Sequence, residues 1–93
     1  MKINFKEKLK DFEGNGTELY EVFAINALMA PEQGRTEVQQ LDRFALALKI
    51  RTSTDEIDIN STEKEDIKYC IHKFIAAPLI TARFNELFKE KTE

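Results

Sequence analysis

Apolar positions recur at helical spacing through most of this chain and alternate only near its start and around residue 58. The sharpest block is Ser61 to Phe88. Ile67, Cys70, Ile71, Phe74 and Ile75 follow the i, i+3, i+4, i+7, i+8 pattern of one helix face. Thr62-x-x-Glu65 reads as a capping box in front of them, each side chain satisfying a backbone donor of the first turn. Phe74, mid-stripe, is the expected core anchor. Pro78 lacks a backbone donor and disfavours helical geometry at Ala77, so it divides the block. A further helix starts near Pro78, where proline is tolerated, with Ile80, Phe84, Leu87 and Phe88 as its stripe. Lys89 to Glu93 reads as a fraying end.

Residues 17–50 read as a helical pair. Thr17 can cap a helix to about Met29, stopped at Ala30-Pro31. Leu19, Tyr20, Val22, Phe23, Ala24, Ile25, Ala27, Leu28 and Met29 cover most of its circumference, which predicts a buried central helix. Asn26 inside it is expected to be a core amide bonded to a neighbouring backbone, with a ligand contact as the lesser reading. After the loop Pro31 to Gly34, Thr36-x-x-Gln39 is a second capping box. Val38, Leu41, Phe44, Ala45 and Leu48 form the expected core stripe of the next helix, which reaches about Ile50. Leu46 and Ile50 fall on another side, among Gln39, Asp42 and Arg43. They are therefore the candidate partner contact. The competing expectation is that the rest of the chain folds over them.

The first segment is open between helix and strand over residues 2–13. Ile3 and Phe5 alternate, whereas Phe5, Leu9 and Phe12 recur helically behind a possible Asn4-x-x-Glu7 cap. Gly14-Asn15-Gly16 ends either element, since glycine tolerates positive φ. Glu56 to Asn60 alternates as a short strand. A lone strand leaves its backbone unpaired, so the alternating chain start is its expected partner. The reading is a single globular domain over 1–93: an N-terminal segment 1–16, a helical pair 17–50, a short strand 56–60, and C-terminal helices 62–90 broken at Pro78. The fold class is mainly α, a compact bundle of about four helices with at most a short two-stranded β pairing.

Composition fits an ordinary globular domain: 42% of residues are hydrophobic and 33% charged. A single core of this size is marginal, and oligomerisation would help. The net charge is −3. It is uneven, because Arg51, Lys64 and Lys68 stand against Asp55, Glu56, Asp58, Glu63, Glu65 and Asp66. That acidic run reads as a solvated loop followed by first-turn carboxylates that suit the helix dipole.

Little chemistry is visible. The single histidine, His72, lies two residues from the single cysteine, Cys70. At that spacing the two point to different sides of a helix, which argues against a metal pair or a nucleophilic dyad. The expectation is a buried small cysteine and a surface histidine, with no metal site, cofactor or catalytic residue. No Gly-rich phosphate loop or nucleophile elbow is present. The densest basic stretch, Lys2 to Lys10, is interrupted by Glu7 and followed by Asp11 and Glu13, so nucleic acid is not an expected partner. One cysteine, no signal peptide and no apolar run long enough to span a bilayer together predict a reducing, cytoplasmic setting without a membrane.

Two blocks carry a resemblance. Leu19 to Pro31 is followed by Leu41-Asp-Arg-Phe-Ala-Leu-Ala-Leu-Lys-Ile50. Ile57 to Ile67 is followed by Pro78-Leu-Ile and Phe84-Asn-Glu-Leu87. This order, over residues 17–88, resembles small open reading frames of tailed bacteriophages and prophages. A glycine that the pattern places after the Pro-Leu pair is absent, Thr81-Ala82 standing in that region. The resemblance implies a phage origin and a host-cytoplasm setting, and it carries over no functional residue. Taken with the missing chemistry, it predicts a non-enzymatic accessory protein that binds a protein or itself, as an assembly aid or an inhibitor of a host component. The alternatives are an oligomeric nucleotide sponge, short of clustered basic and aromatic groups, and a single-stranded nucleic-acid accessory factor, disfavoured by charge.

Overall fold

The strand β1 (Lys2–Ile3) pairs antiparallel with β4 (Ile57–Asp58), Lys2 opposite Asp58 and Ile3 opposite Ile57. This is the pairing expected between the chain start and the short strand. The computed structural model describes residues 1–89. Glu90 and the expected fraying end beyond Lys89 lie outside them. Between the two paired strands come β2 (Lys8–Lys10), β3 (Gly16–Leu19), α1 (Tyr20–Leu28) and α2 (Glu37–Thr52). After β4 follow α3 (Ser61–Cys70), which runs on as a π-helical turn over Ile71–Ile75, and α4 (Pro78–Leu87). The architecture is mainly α with short antiparallel pairings, and its radius of gyration is 12.9 Å.

A second pairing was not expected. β2 and β3 form an antiparallel hairpin with an irregularity between Lys8 and Lys10. Asp11 builds its turn. The Asp11 carboxylate accepts from the Glu13 and Asn15 amides at 3.0 and 2.8 Å. Gly14, at φ +90°, takes the left-handed conformation the turn requires. Thr17 therefore sits in a strand, where its hydroxyl donates to the Leu9 carbonyl at 2.7 Å. It caps nothing. α1 begins at Tyr20 with no side-chain cap. Its first amides are instead satisfied by the preceding chain: Tyr20 N donates to the Glu7 carbonyl at 2.9 Å and Glu21 N to the Phe5 carbonyl at 2.8 Å.

The later caps divide. Thr36 and Gln39 form the expected box, the Gln39 amide reaching Thr36 Oγ1 at 3.2 Å and the Thr36 amide reaching Gln39 Oε1 at 3.0 Å. α3 starts earlier than Thr62-x-x-Glu65 predicts. Asn60 is its N-cap, accepting from the Glu63 amide at 2.7 Å while Glu63 accepts from the Asn60 amide at 3.0 Å. Asparagine caps at least as well as threonine, so the upstream box prevails. Pro78 opens α4 as expected, behind an extended Ala77. The turn between them is closed by Ala76 at φ +51°, the one non-glycine residue in the left-handed region among those described.

α1 occupies the centre, packed by α2, α3 and the π-helical turn. Its small residues Ala24 and Ala27 are buried there, with Leu28. Asn26 points to solvent, not into the core as expected. The core joins Phe5, Leu9, Ile59, Ile67 and Ile71 to these helices. At one end Tyr20, Phe84, Phe88 and Phe5 make a chain of aromatic contacts, Tyr20 meeting Phe84 edge to face at 5.1 Å between ring centres. Phe74 and Ile75 pack against this core only half-buried, so Phe84 and not Phe74 is the aromatic anchor.

The largest correction concerns α2. Leu46 and Ile50, proposed from sequence as a partner contact, are 4% and 0% exposed. The stripe expected to be core faces outward, with Val38 67%, Leu41 59%, Phe44 52% and Leu48 49% exposed. Both faces of the helix are apolar, so periodicity alone does not rank them. Steric fit does: Leu46, Ala47 and Ile50 meet a core in which α1 presents alanines, and a small residue lets two helix backbones approach.

Candidate interaction surface

Two features of α2 stand out, on opposite sides of it. The outer side carries Val38, Leu41, Phe44, Ala45 and Leu48, all exposed. Met29, at the end of α1, is exposed as well. Phe44 and Met29 border a depression of about 530 Å³ lined also by Leu28 and Pro31 and, on its polar side, by Glu32, Arg35 and Gln40. An exposed apolar row on one helix beside a hollow of mixed lining is a form that protein-binding surfaces take.

The inner side holds an ion cluster that no sequence signal marked. Glu32, in the loop before α2, accepts from the Tyr69 hydroxyl at 2.5 Å, from Arg35 Nη2 at 3.0 Å and from Arg43 Nη1 at 3.1 Å. Lys73 Nζ lies 3.5 Å from the same carboxylate. Arg43 also reaches Asp66 at 3.3 Å and stacks over the Tyr69 ring at 5.4 Å. The Tyr69 hydroxyl, then Arg35, Arg43 and Lys73, hold the Glu32 carboxyl down to about 2. It is an anion across the physiological range, so it serves as a strut and not as a proton donor. Arg35 Nε is buried without a hydrogen-bond partner among the described residues.

Glu21 makes a second buried link. It accepts from Lys6 Nζ at 2.6 Å and from Arg51 Nη1 at 3.3 Å. Burial pushes its carboxyl up, but the hydrogen bonds from Lys6 and Arg51 outweigh it and leave a net lowering. These two links tie the N-terminal segment and the loop before α2 to the helices around them.

Cys70 is fully buried and His72 exposed, on separate sides as their spacing predicts. Burial pushes the Cys70 thiol up to about 11. Among the described residues no three His, Cys, Asp or Glu side chains are grouped to hold a metal. No described helix is long and apolar enough to cross a membrane. No protein-family model, curated protein or solved structure matches the chain.

The sequence misplaced the outer stripe because it counted bulky apolar residues and assigned them to the core. Arg43 shares the Leu46 face and argues in sequence against that face's burial; the structure buries Arg43 beside the partly exposed Glu32 and Asp66, which offset its charge. The Glu32–Tyr69 contact joins residues far apart in sequence, and spacing says nothing about such pairs.

Proposed function

We propose that this chain is a non-enzymatic interaction protein whose working surface is the outer face of α2 with Met29 beside it. One observation carries the reading. Four large apolar side chains on a capped helix stay exposed while the opposite face of that helix is fully buried. Exposing them costs solvation free energy of the order of 25 cal/mol for each Å² of apolar surface that a partner would cover. The resemblance to small phage reading frames is the support for a phage-type accessory role in a host cytoplasm, as an assembly aid or an inhibitor of a host component.

The nucleotide-sponge reading needs free cations. Arg35, Arg43 and Lys73 instead converge on Glu32, whose carboxylate takes the place a phosphate would need. For single-stranded nucleic acid, the exposed Phe12 is an isolated aromatic on the hairpin turn, flanked by Asp11 and Glu13.

Gentle isolation from expressing bacteria, with mass spectrometry for proteins, nucleotides and nucleic acid, tests the reading. A protein retained in near-stoichiometric amount by the wild type and lost from Phe44→Glu supports it. A nucleotide or nucleic acid retained equally by both forms replaces it.

A further inference from the structure

We propose that the outer face of α2 docks on the same face of a second copy of this chain, the two helices antiparallel about a two-fold axis passing near Phe44 and Ala45. This rests on the interaction reading above and names its occupant.

The face is complementary to itself. Helix geometry places Val38, Leu41, Phe44, Ala45 and Leu48 along one row. In an antiparallel pair centred between residues 44 and 45, Leu41 lies across from the partner's Leu48, and Phe44 across from the partner's Ala45. A large ring meets a small methyl, and two leucines meet at each end. Interdigitation of that kind fills a helix–helix seam without voids.

Charge selects the direction. Asp42 and Lys49 lie two turns apart along one edge of the row, Arg51 lies at its other edge, and Glu37 stands within the row at its N-terminal end. A two-fold axis perpendicular to the helices brings each edge against the same edge of the second copy. Asp42 then faces the partner's Lys49, and Glu37 faces the partner's Arg51. A parallel pair would set opposite edges together, with Lys49 beside the partner's Arg51, like sign against like. Glu37 and Asp42 take part in no ion pair among the described residues. Lys49 and Arg51 bond Glu63 and Glu21 within the chain, yet remain 40% and 72% exposed. Exposed pairs add little affinity, but mismatched ones are penalised, so they set orientation.

Size sets the strength. A helix of 16 residues is roughly 24 Å long. One such pair buries less than the ~800 Å² per partner of a standard interface, so the dimer belongs to the weak, transient class.

Sedimentation velocity over a concentration series from about micromolar to about millimolar tests association. The wild type should pass from monomer to dimer. Leu41→Glu and Phe44→Glu should each stay monomeric with an unchanged circular dichroism spectrum, since both side chains are exposed. Orientation is read by mixing Leu41→Cys and Leu48→Cys proteins with a short bis-maleimide. The mixture should cross-link at least about fivefold more than either protein alone, while the buried Cys70 stays silent. A wild type that remains monomeric throughout overturns the dimer. So does a dimer that survives both glutamates, or Leu41→Cys cross-linking to itself as well as to Leu48→Cys. If the wild type is monomeric and Phe44→Glu still loses a bound protein, the dimer fails and the interaction reading survives. If no protein is lost either, both fail.

Discussion

The Tyr69 hydroxyl donates to the Glu32 carboxylate at 2.5 Å, fastening α3 to the loop that leads into α2. Glu32 is thereby bonded from two helices and from its own loop. Its folded-state carboxyl lies near 2, below the ordinary value of 4.5. In that window the unfolded chain binds the extra proton, so stability rises with pH. The contribution is complete above about pH 5 and is lost as pH falls from 4.5 toward 2. Urea denaturation at stepped pH should show this decline, and Glu32→Gln should flatten it and lower stability at neutral pH. An unchanged slope in the variant would place the acid sensitivity elsewhere, with Glu21 the next carboxylate to test.

Phe84 is buried against Tyr20 and Phe88, whereas Phe12 is 87% exposed. Phe84→Ala should cost about 3–5 kcal/mol by lost burial and a residual cavity. Phe12→Ala should stay within about 0.5 kcal/mol. Phe74→Ala, at a half-buried site, should fall between them, near 1–3 kcal/mol. Denaturant midpoints order the three.

Asn60, not Thr62, caps α3. Asn60→Ala should cost about 1 kcal/mol, since the Glu63 amide loses its acceptor. Thr62→Ala lies inside the first turn, and alanine is the best helix former, so it should be neutral or slightly stabilising. Thermal melts of the two variants separate the caps.

Ala76 holds φ +51° where the π-helical turn ends. Its Cβ is strained there by about 1–2 kcal/mol. Glycine removes the strain but adds roughly 0.4–1 kcal/mol of unfolded-state entropy. Ala76→Gly should therefore stabilise by about 0.5–1 kcal/mol, a rise of a few degrees in melting temperature.

Local backbone signals in this sequence succeed in part: the caps read at Thr17 and Thr62 are not formed, while others hold. Thr36 with Gln39, Pro78 opening α4, and the pairing of Ile3 with Ile57 all follow from unsatisfied or missing amide groups. The β2–β3 hairpin escaped notice because Phe5, Leu9 and Phe12 also match a helical period; long-range bonds from Tyr20 and Glu21 decide for the extended form. The face of α2 was undecidable from periodicity, since apolar residues lie on both sides and only the fit of Ala47 and Arg43 against α1, Glu32 and Asp66 breaks the tie. The sequence thus groups the outer residues as one stripe but assigns that stripe to the core, and offers the buried Leu46 and Ile50 as the surface.

The pairing of Lys2 with Asp58 has a consequence for biosynthesis. The strand β1 cannot find β4 until β2, β3, α1 and α2 have all been made between them, and closing so long a loop carries an entropic cost that nearer contacts avoid. The hairpin and α1 are complete in sequence long before then. A nascent chain arrested ahead of Ile57 therefore leaves Ile3 without its strand partner, and the meeting of Phe5 with Phe88, at still longer separation, waits for α4.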